Sequence, residues 1–398
     1  MFGIAMKMLI EDKTKYIGLL LGIAFTAFLV TFAMAYFAGF MTRGFALVTE
    51  NPTADLWVMD PAVSSAEATI NMSDAALYRV RSVPGVDNAM PLCLSDVTAR
   101  FPNGHFQTFQ LIAVDDATLS GVPTLPNGTH ASEILHIPGS IVVDSGGTEG
   151  KLQTPRYQKD LYPYDGAHLN VPTRALRFGD ELLINDKRVL VGGVSATIPR
   201  FPPRPLIYTT ISNLKRIDPA RRKRVTFIMV RIRKGSSAAE VAREITRKTG
   251  LKAITRDQFK KETVMWYLIN SEDVGDMVNM VVLAMLVGFG VTGVMLYLST
   301  QDNMRAFALM KAMGASASVL KRVIFMQVAA NALIGSGIGI GIDVVADMLI
   351  PARAFPYRLM WFAPLTGLLG VLIVSITAGL ISARIIEKLE PATLFTAK

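Results

Sequence analysis

The chain has 398 residues, of which 51% are hydrophobic and 18% are charged, and its formal net charge is +9 at pH 7. An ordinary soluble domain is less apolar and more charged, so this composition excludes a chain that is soluble along its whole length. The single cysteine, Cys93, excludes an internal disulfide framework.

A charge-free window at residues 16–42 comes first and is long enough to cross a bilayer as a helix. Residues 1–15 before it predict an interfacial helix with an apolar face opposite a charged one. A cleaved signal peptide is the alternative, because Ala33-Met34-Ala35 imitates a cleavage site. The acidic pair Glu11 and Asp12 and the length of the window favour a retained transmembrane helix.

Residues 43–275 carry ordinary charge and predict a large domain in water. Asn103-Gly104 and Asn185-Asp186 lie between segments of alternating polarity, and each predicts the turn of a β-hairpin. Residues 120–170 are rich in Gly, Pro, Asn and Tyr, and we expect an irregular insertion or subdomain junction there.

A β-α-β unit is predicted towards the end of this domain. Arg224 to Lys234 has two mostly apolar faces, which is typical of a central strand. Ser237 and Glu240 then form the capping box of a helix, and a strand at residues 251–255 follows it. The domain is therefore predicted to be α+β.

The same domain offers no constellation for catalysis or for binding a metal or cofactor. Residues 146–152 resemble a phosphate loop, but Ser145 and Leu152 occupy its required Gly and Ser/Thr positions. The histidines lie in loops without the spacing of metal ligands: His105, His130, His136 and His168.

Residues 200–234 contain eleven basic residues and one acidic residue, Asp218, and predict a basic face. Anionic lipid headgroups, an acidic partner or solvent alone could meet this face, and the sequence leaves these alternatives open. Nucleic acid is not an expected partner, because this domain is predicted to lie outside the cytoplasm.

Three more windows free of charge follow the domain, at residues 277–301, 323–342 and 359–383, and each is long enough to span a membrane. The predicted spans are helix 2 at residues 276–301, helix 3 at residues 323–350 and helix 4 at residues 359–383. We therefore predict a membrane α-helical protein with four transmembrane helices and a large α+β extracytoplasmic domain inserted between helices 1 and 2.

Charge around the spans predicts their orientation, because basic residues accumulate on the cytoplasmic side. On the side of both termini lie Lys7, Lys13, Lys15, Arg305, Lys311, Lys321, Arg322, Arg384 and Lys388, against Arg43, Arg353 and Arg358 on the other. Both termini, the helical elbow at residues 302–322 and the tail at residues 384–398 are thus predicted to be cytoplasmic, with a short external loop at residues 351–358.

The elbow is predicted to be rigid. Good helix formers run to Met313, Gly314 can adopt a left-handed C-cap, and Ser316 can cap the helix that leads into the third span. A tight hairpin whose basic residues only anchor lipid headgroups is the alternative.

The third span carries glycines at spacings of four residues, which permits close backbone packing against another helix. They are Gly335, Gly337, Gly339 and Gly341. Helix packing is favoured over a substrate path. Asp343 and Asp347 lie one turn apart just after the charge-free window at residues 323–342, where an interfacial helix end explains them as well as an ion site does.

The elbow sequence Leu309-Met310-Lys311-Ala312-Met313-Gly314-Ala315-Ser316 resembles the hallmark of the FtsX/MacB-type (type VII, DevC/LolE-like) permeases of ABC transporters. Lys311 stands where Arg is commoner in that family. Further resemblances lie at residues 54–58, 83–86, 178–180 and 390–392.

That resemblance implies a coupling helix that docks on a cytoplasmic ABC ATPase subunit. Carried over to this chain, the role falls on Arg305, Lys311, Gly314, Ala315 and Ser316. It also implies a permease dimer in the bacterial inner membrane, contact with membrane lipid and a possible periplasmic adaptor. No cofactor is expected on this chain, since a separate ATPase polypeptide would bind ATP.

By the same resemblance, ATP-driven motion would reach the external domain and export or extract a lipid, lipoprotein or hydrophobic small molecule. One rival is a signalling subunit that activates an external cell-wall hydrolase. A membrane-anchored enzyme is disfavoured, because no nucleophile with its base and no metal set is found.

Overall fold

The computed structural model describes residues 13–125, 131–148, 150–157, 166–221, 223–351 and 355–387. The chain divides into a membrane unit, Met1–Phe40 with Ser271–Lys398, and an inserted unit, Met41–Asn270. Most of the interfacial helix predicted at residues 1–15 lies outside the described residues, as do His130, Arg353 and the resemblance at residues 390–392.

The described helices are α1 (Lys13–Gly44), α2 (Ala46–Thr49), α3 (Ala75–Arg81), α4 (Ala131–Leu135), α5 (Ile211–Ile217), α6 (Ala238–Thr249), α7 (Arg256–Asn270), α8 (Glu272–Asp302), α9 (Met304–Ala312), α10 (Ala317–Leu349) and α11 (Phe362–Glu387). The described strands are β1 (Leu56–Met59), β2 (Met72–Ser73), β3 (Val86–Arg100), β4 (Phe106–Val114), β5 (Ser140–Asp144), β6 (Gln153–Pro155), β7 (Thr173–Ala175), β8 (Glu181–Ile184), β9 (Lys187–Ser195), β10 (Leu206–Thr210), β11 (Arg224–Val225), β12 (Phe227–Ile232) and β13 (Lys252–Thr255).

Four helices in the described part of the chain are long and apolar enough to cross a membrane. They lie at Tyr16–Gly44, Glu272–Asp302, Ser318–Leu349 and Phe362–Arg384. Such segments satisfy their own backbone hydrogen bonds, as the hydrocarbon layer requires. Four spans with a large domain of helices and strands after the first are therefore confirmed.

The inserted unit is built on a nine-stranded mixed sheet in the order β13-β1-β12-β3-β4-β10-β5-β9-β8. Neighbouring strands in this order run antiparallel, except that β10 is parallel to β4 and β5 is parallel to β9. The strands β1 and β12 lie inside the sheet and are covered on both faces: Trp57 and Phe227 point to one core, whereas Val58 and Ile228 point to another.

Both predicted hairpins are present. β3 and β4 are joined through a turn with Gly104 at φ 85°, and β8 and β9 are joined by Asn185 and Asp186 at φ 49° and 59°. Two successive residues with positive φ match the right-handed twist of the strands, which is why Asn and Asp are favoured there.

The predicted β-α-β unit is present with modifications. β12 and β13 are joined through α6, but β1 lies between them in the sheet. Arg224–Val225 is a separate strand that pairs with β2, because the run breaks at Thr226. Ser237 occupies the N-cap position of α6 without a side-chain capping hydrogen bond, so the predicted capping box is wrong in that detail.

One further expectation for this domain is wrong, and another needs a qualification. Residues 120–170 are not an irregular insertion throughout, because β5 lies within them and is fully buried between β10 and β9. Within the predicted basic strip at residues 200–234, Arg200 pairs with Glu50, Arg204 with Glu67 and Arg231 with Asp87. Acidic residues from distant parts of the sequence therefore neutralise part of the strip.

Candidate functional site

The elbow between the second and third spans is a short helix flanked by two long ones. α8 ends at Asp302, α9 occupies Met304–Ala312, and α10 begins at Ala317. Only Asn303 separates α8 from α9, and four residues separate α9 from α10. Connections this short leave the elbow little freedom to move independently of its two helices.

Gly314 ends α9 in a Schellman motif. It has φ 93°, a left-handed conformation that costs an L-residue with a side chain about 1–2 kcal/mol. The N–H of Ala315 donates to the carbonyl of Met310 at 2.9 Å, and the N–H of Gly314 donates to that of Lys311 at 3.1 Å. This is the 6→1 and 5→2 pair that defines the motif, and it confirms the predicted conformation of Gly314.

Ser316 begins the next helix from an extended conformation, φ −70° and ψ 156°, which is the N-cap position. Its backbone carbonyl accepts from the N–H of Val319 at 3.0 Å. The side chain does not cap α10, contrary to expectation, because the Ser316 and Ser318 hydroxyls lie 2.8 Å apart and hydrogen-bond to each other.

The inner face of the elbow is buried in the membrane unit. Phe307, Ala308 and Leu320 are each at most 1% exposed, and Phe307 and Leu320 share a core with Leu19 and Ile23 of α1. This packing fixes the elbow to the first span as well as to the two spans that it joins.

The outer face of the elbow presents two exposed apolar side chains that the carried-over site residues do not include. Leu309 is 51% exposed and Met313 is 79% exposed, and their spacing of four residues places them on one side of α9. Gly314 and Ser316 are exposed beside them, whereas Ala315 and Lys311 are half-buried. The sequence feature that could have indicated this pair is the spacing of four residues between two apolar side chains, the second of which lies next to the predicted helix stop at Gly314.

Among the remaining predicted site residues, Arg305 lies in the first turn of α9 and its side chain is outside the described part of the structure. The structure thus brings together the backbone of all five predicted positions at the elbow. Docking itself involves another polypeptide, so it stays a prediction.

The glycines of the third span divide between two faces of α10. A Cβ at Gly335 would lie 2.5 Å from Cγ2 of Ile23, and one at Gly339 would overlap the carbonyl oxygen of Ala24. Around Gly337 and Gly341 a Cβ would meet no atom within 4 Å. Gly335 and Gly339 therefore permit α10 to approach α1 closely.

At the other end of α10, two aspartates accept hydrogen bonds from the loop that leads to the fourth span. Tyr357 Oη donates to Asp343 Oδ1 at 3.0 Å, and the N–H of Leu359 donates to Asp347 Oδ1 at 3.1 Å. The N–H of Arg358 donates to the carbonyl of Ala35 in α1 at 3.1 Å. Asp343 and Asp347 lie within α10 and hold this loop.

Chemistry that requires clustered ligands has no support in the described residues, which contain no group of three or more His, Cys, Asp or Glu side chains placed to hold a metal ion. Cys93 is buried. The features described above are a short elbow between two helices, a close helix contact and a hydrogen-bonded loop.

Comparison with known proteins gives two family matches and several structural ones. A model described as MacB-like periplasmic core domain matches residues 17–248, and one described as FtsX-like permease C-terminal matches residues 279–391. No curated protein matches the chain.

Two solved structures are similar to part of the chain. One is the periplasmic region of MacB from Actinobacillus actinomycetemcomitans, with 11% identity and a TM-score of 0.35, covering 54% of this chain and 94% of that one. The other is the extracellular domain of the noncanonic ABC-type transporter YknZ from Gram-positive bacteria, with 12% identity and a TM-score of 0.33, covering 51% and 99%.

Four apolar helices, a sheet domain inserted after the first and a capped elbow between the second and third define a multi-pass membrane protein. The two family models together cover most of the chain, and the first alone covers more than half. The chain belongs to the MacB/FtsX family, and it is a permease subunit of an ABC transporter.

Proposed function

We propose that the elbow docks on a separate cytoplasmic ATPase subunit and passes its ATP-driven motion to the spans and the inserted unit. The observation that carries this proposal is the outer face of α9. Leu309 and Met313 are exposed there on a helix whose other face is buried and whose end is fixed by the Schellman motif at Gly314. Two exposed apolar side chains on a rigid helix can insert into an apolar groove on a partner protein.

Sidedness follows from charge. Lys311, Lys321, Arg322 and Arg384 flank the spans at the ends that would carry the elbow and the tail, so both termini lie in the cytoplasm of a bacterial inner-membrane protein. The inserted unit then lies in the periplasm, where an adaptor could bind it.

The second span supports a permease dimer. Residues along α8 such as Val282, Leu286 and Val294 are at least half exposed in the single chain. A Cβ at Gly290 or Gly293 of the same helix would meet no atom within 4 Å. A second copy, with lipid around it, would cover this apolar surface.

The cargo in this proposal is a lipid, a lipoprotein or a hydrophobic small molecule. The motion would act on cargo at the inserted unit and leave the membrane helices closely packed. Support comes from the close contact of Gly339 with α1 and from the pinned loop at Tyr357, since both join helices of the bundle.

A photoreactive amino acid at position 313 tests the proposal in intact cells. Illumination should crosslink the permease to a soluble polypeptide that mass spectrometry identifies as an ABC ATPase. A photoreactive residue at Phe178, which is 73% exposed in the inserted unit, is the matched control and should not capture it. Capture of the ATPase from position 178 and not from 313 would refute the docking site.

A further inference from the structure

Residues 196–205 form a proline-rich segment between β9 and β10, here called the strap. The sheet anchors it at the end of β5, where the Asp144 carboxylate accepts from the N–H of Thr197 at 2.7 Å. The N–H of Arg200 also donates to the carbonyl of Gly146 at 3.0 Å. The strap is therefore fixed to the central strands of the inserted unit.

Arg200 of the strap holds the segment by which the chain enters the inserted unit. Its Nη2 lies 2.5 Å from Oε2 of Glu50, and the N–H of Ile198 donates to Oε1 of the same carboxylate at 2.9 Å. Glu50 directly follows α2, and Phe45 alone separates α2 from the first span helix α1. This carboxylate thus ties the residue that follows α2 to the strap.

The pair is buried, since the side chains of Arg200 and Glu50 are 6% and 17% exposed. Burial raises the pKa of Glu50, and the charge and hydrogen bonds of Arg200 oppose that shift. Arg200 also donates to Tyr208 Oη of β10 at 3.1 Å. A buried charge pair with these partners resists separation, because removing one partner leaves the other charge uncompensated.

Phe201, the next residue of the strap, holds the helix by which the chain leaves the inserted unit. Tyr267 Oη of α7 donates to the Phe201 carbonyl at 3.1 Å, and the two rings meet edge to face at 5.9 Å. Tyr267 is 2% exposed. Since only Ser271 separates α7 from α8, this contact lies near the start of the second span.

The incoming and outgoing segments also touch each other at this point. A Cβ at Gly44 would lie 2.6 Å from Cε2 of Tyr267. Two consecutive strap residues, Arg200 and Phe201, therefore contact the incoming and the outgoing segment, and these two segments also contact each other. Neither segment can shift against the strap without breaking a part-buried hydrogen bond.

We propose that the strap is the coupling element of the inserted unit, in which Arg200 and Phe201 lock the incoming and outgoing segments to the sheet so that all three move together. This inference rests on the proposed function, because it names the residues through which motion of the spans would reach the sheet.

Hydrogen exchange in the intact protein tests the lock without an ATPase. Tyr267→Phe removes one hydroxyl from α7 and should raise amide exchange about tenfold both in α7 and in α2, although α2 is not the altered helix. Tyr78→Phe, at a tyrosine that is 68% exposed on α3, is the matched control and should leave both helices unchanged. Faster exchange confined to α7 would overturn the lock.

A distance measurement on the complex with its ATPase tests the coupling. Spin labels at Ser237→Cys and Ser318→Cys, in a Cys93→Ser background diluted with unlabelled protein, report the separation of the inserted unit from the elbow with and without an ATP analogue. Both serines are exposed. We expect the distance between the two labels to change with nucleotide when the strap is unaltered.

Tyr267→Phe and Glu50→Gln should each lose at least half of that shift and keep ATP hydrolysis within about twofold. The control Asp87→Asn, in the exposed ion pair with Arg231, should keep the full shift. A full shift in both strap variants would overturn the strap and leave the proposed function standing. Absence of any shift in the unaltered protein would instead refute the proposed function, and the exchange experiment would then decide the lock.

Discussion

Gly339 of α10 lies against the carbonyl of Ala24 in α1 so closely that a Cβ at this position would overlap the oxygen and approach Cβ of Ala27 to 2.7 Å. Gly341, two residues further along the same helix, has no such neighbour within 4 Å. The two glycines therefore form a matched pair for testing helix packing in the bundle.

Gly339→Ala should destabilise the protein by about 1–3 kcal/mol, because the added methyl group forces two backbones apart. Gly339→Leu should have a larger effect and lower the purification yield. Gly341→Ala should be neutral or stabilise by up to about 1 kcal/mol, since alanine favours a helix. Thermal unfolding in detergent measures the three variants, and equal stability of Gly339→Ala and Gly341→Ala would contradict the close contact.

Tyr357→Phe should destabilise the loop before the fourth span by about 1–3 kcal/mol, because it removes the hydrogen bond to the buried Asp343 carboxylate. Tyr36→Phe is the control. Tyr36 lies in α1 and its ring stacks on Phe355, so this variant removes a nearby tyrosine hydroxyl and keeps the ring. Thermal unfolding of both variants is the measurement. A smaller loss for Tyr357→Phe than for Tyr36→Phe would count against a role for Asp343 as acceptor.

Stability of the inserted unit should depend on pH through Asp180. Burial alone would raise the pKa of this carboxyl, but the hydrogen bonds from Arg174, at 2.6 and 2.7 Å, and from the N–H of Arg177 lower it below its usual value. A lowered folded-state pKa adds stability above the unfolded pKa, and this is lost as pH falls through the folded value.

Arg174→Gln should therefore cost about 1 kcal/mol at pH 7, where the carboxylate is ionised, and less at pH 3. Thermal unfolding at the two pH values gives the comparison. A loss of stability that is the same at both would mean that Arg174 acts by packing rather than by charge.

The predicted sidedness is tested by labelling single cysteines in intact cells after Cys93→Ser. Ser237→Cys should react with an impermeant thiol reagent from outside, whereas Ser318→Cys should react only after the membrane is permeabilised. Both positions are exposed on their own units, so failure to react reports the side of the membrane. The reverse pattern would place the inserted unit in the cytoplasm and the elbow outside, which would contradict the predicted sidedness.

Much of the fold could be predicted from local sequence signals. Charge-free windows identify spans, Asn103-Gly104 identifies a hairpin, and the stop at Gly314 identifies the elbow, because each depends on residues close together in the chain. The strand β5 could not be predicted in the same way. Its short apolar run, Ile141-Val142-Val143, lies in a region rich in turn-forming residues and becomes a strand through its neighbours β10 and β9.

The contacts that connect distant segments were beyond reach of the sequence pattern. Arg200 and Glu50 are 150 residues apart, so the sequence pattern gives no sign that they form an ion pair. In the sequence, Arg200 therefore counts only as part of the basic strip. Exposure of Met313 likewise depends on which face of α9 the bundle covers, which is decided by Phe307 and Ala308 packing inward.

Gly314→Val should impair coupling through the backbone alone, because a Cβ there meets no atom within 4 Å but valine disfavours φ 93° by about 1–2 kcal/mol or more. The variant should insert in the membrane normally and show at least a severalfold lower ATP hydrolysis rate in the assembled complex. Gly314→Asn, which tolerates the left-handed conformation, should stay close to the parent protein. Equal impairment by valine and asparagine would exclude backbone conformation as the cause.

The central claim, that the elbow carries the ATPase contact, is tested most directly by the amount of ATPase retained per permease chain after purification. Met313→Asp should reduce retention about thirtyfold, as loss of a central apolar anchor does, and Lys311→Glu should reduce it less. Phe178→Asp, at an equally exposed apolar side chain in the inserted unit, should retain the full amount. Full retention by Met313→Asp and Lys311→Glu together would contradict the account.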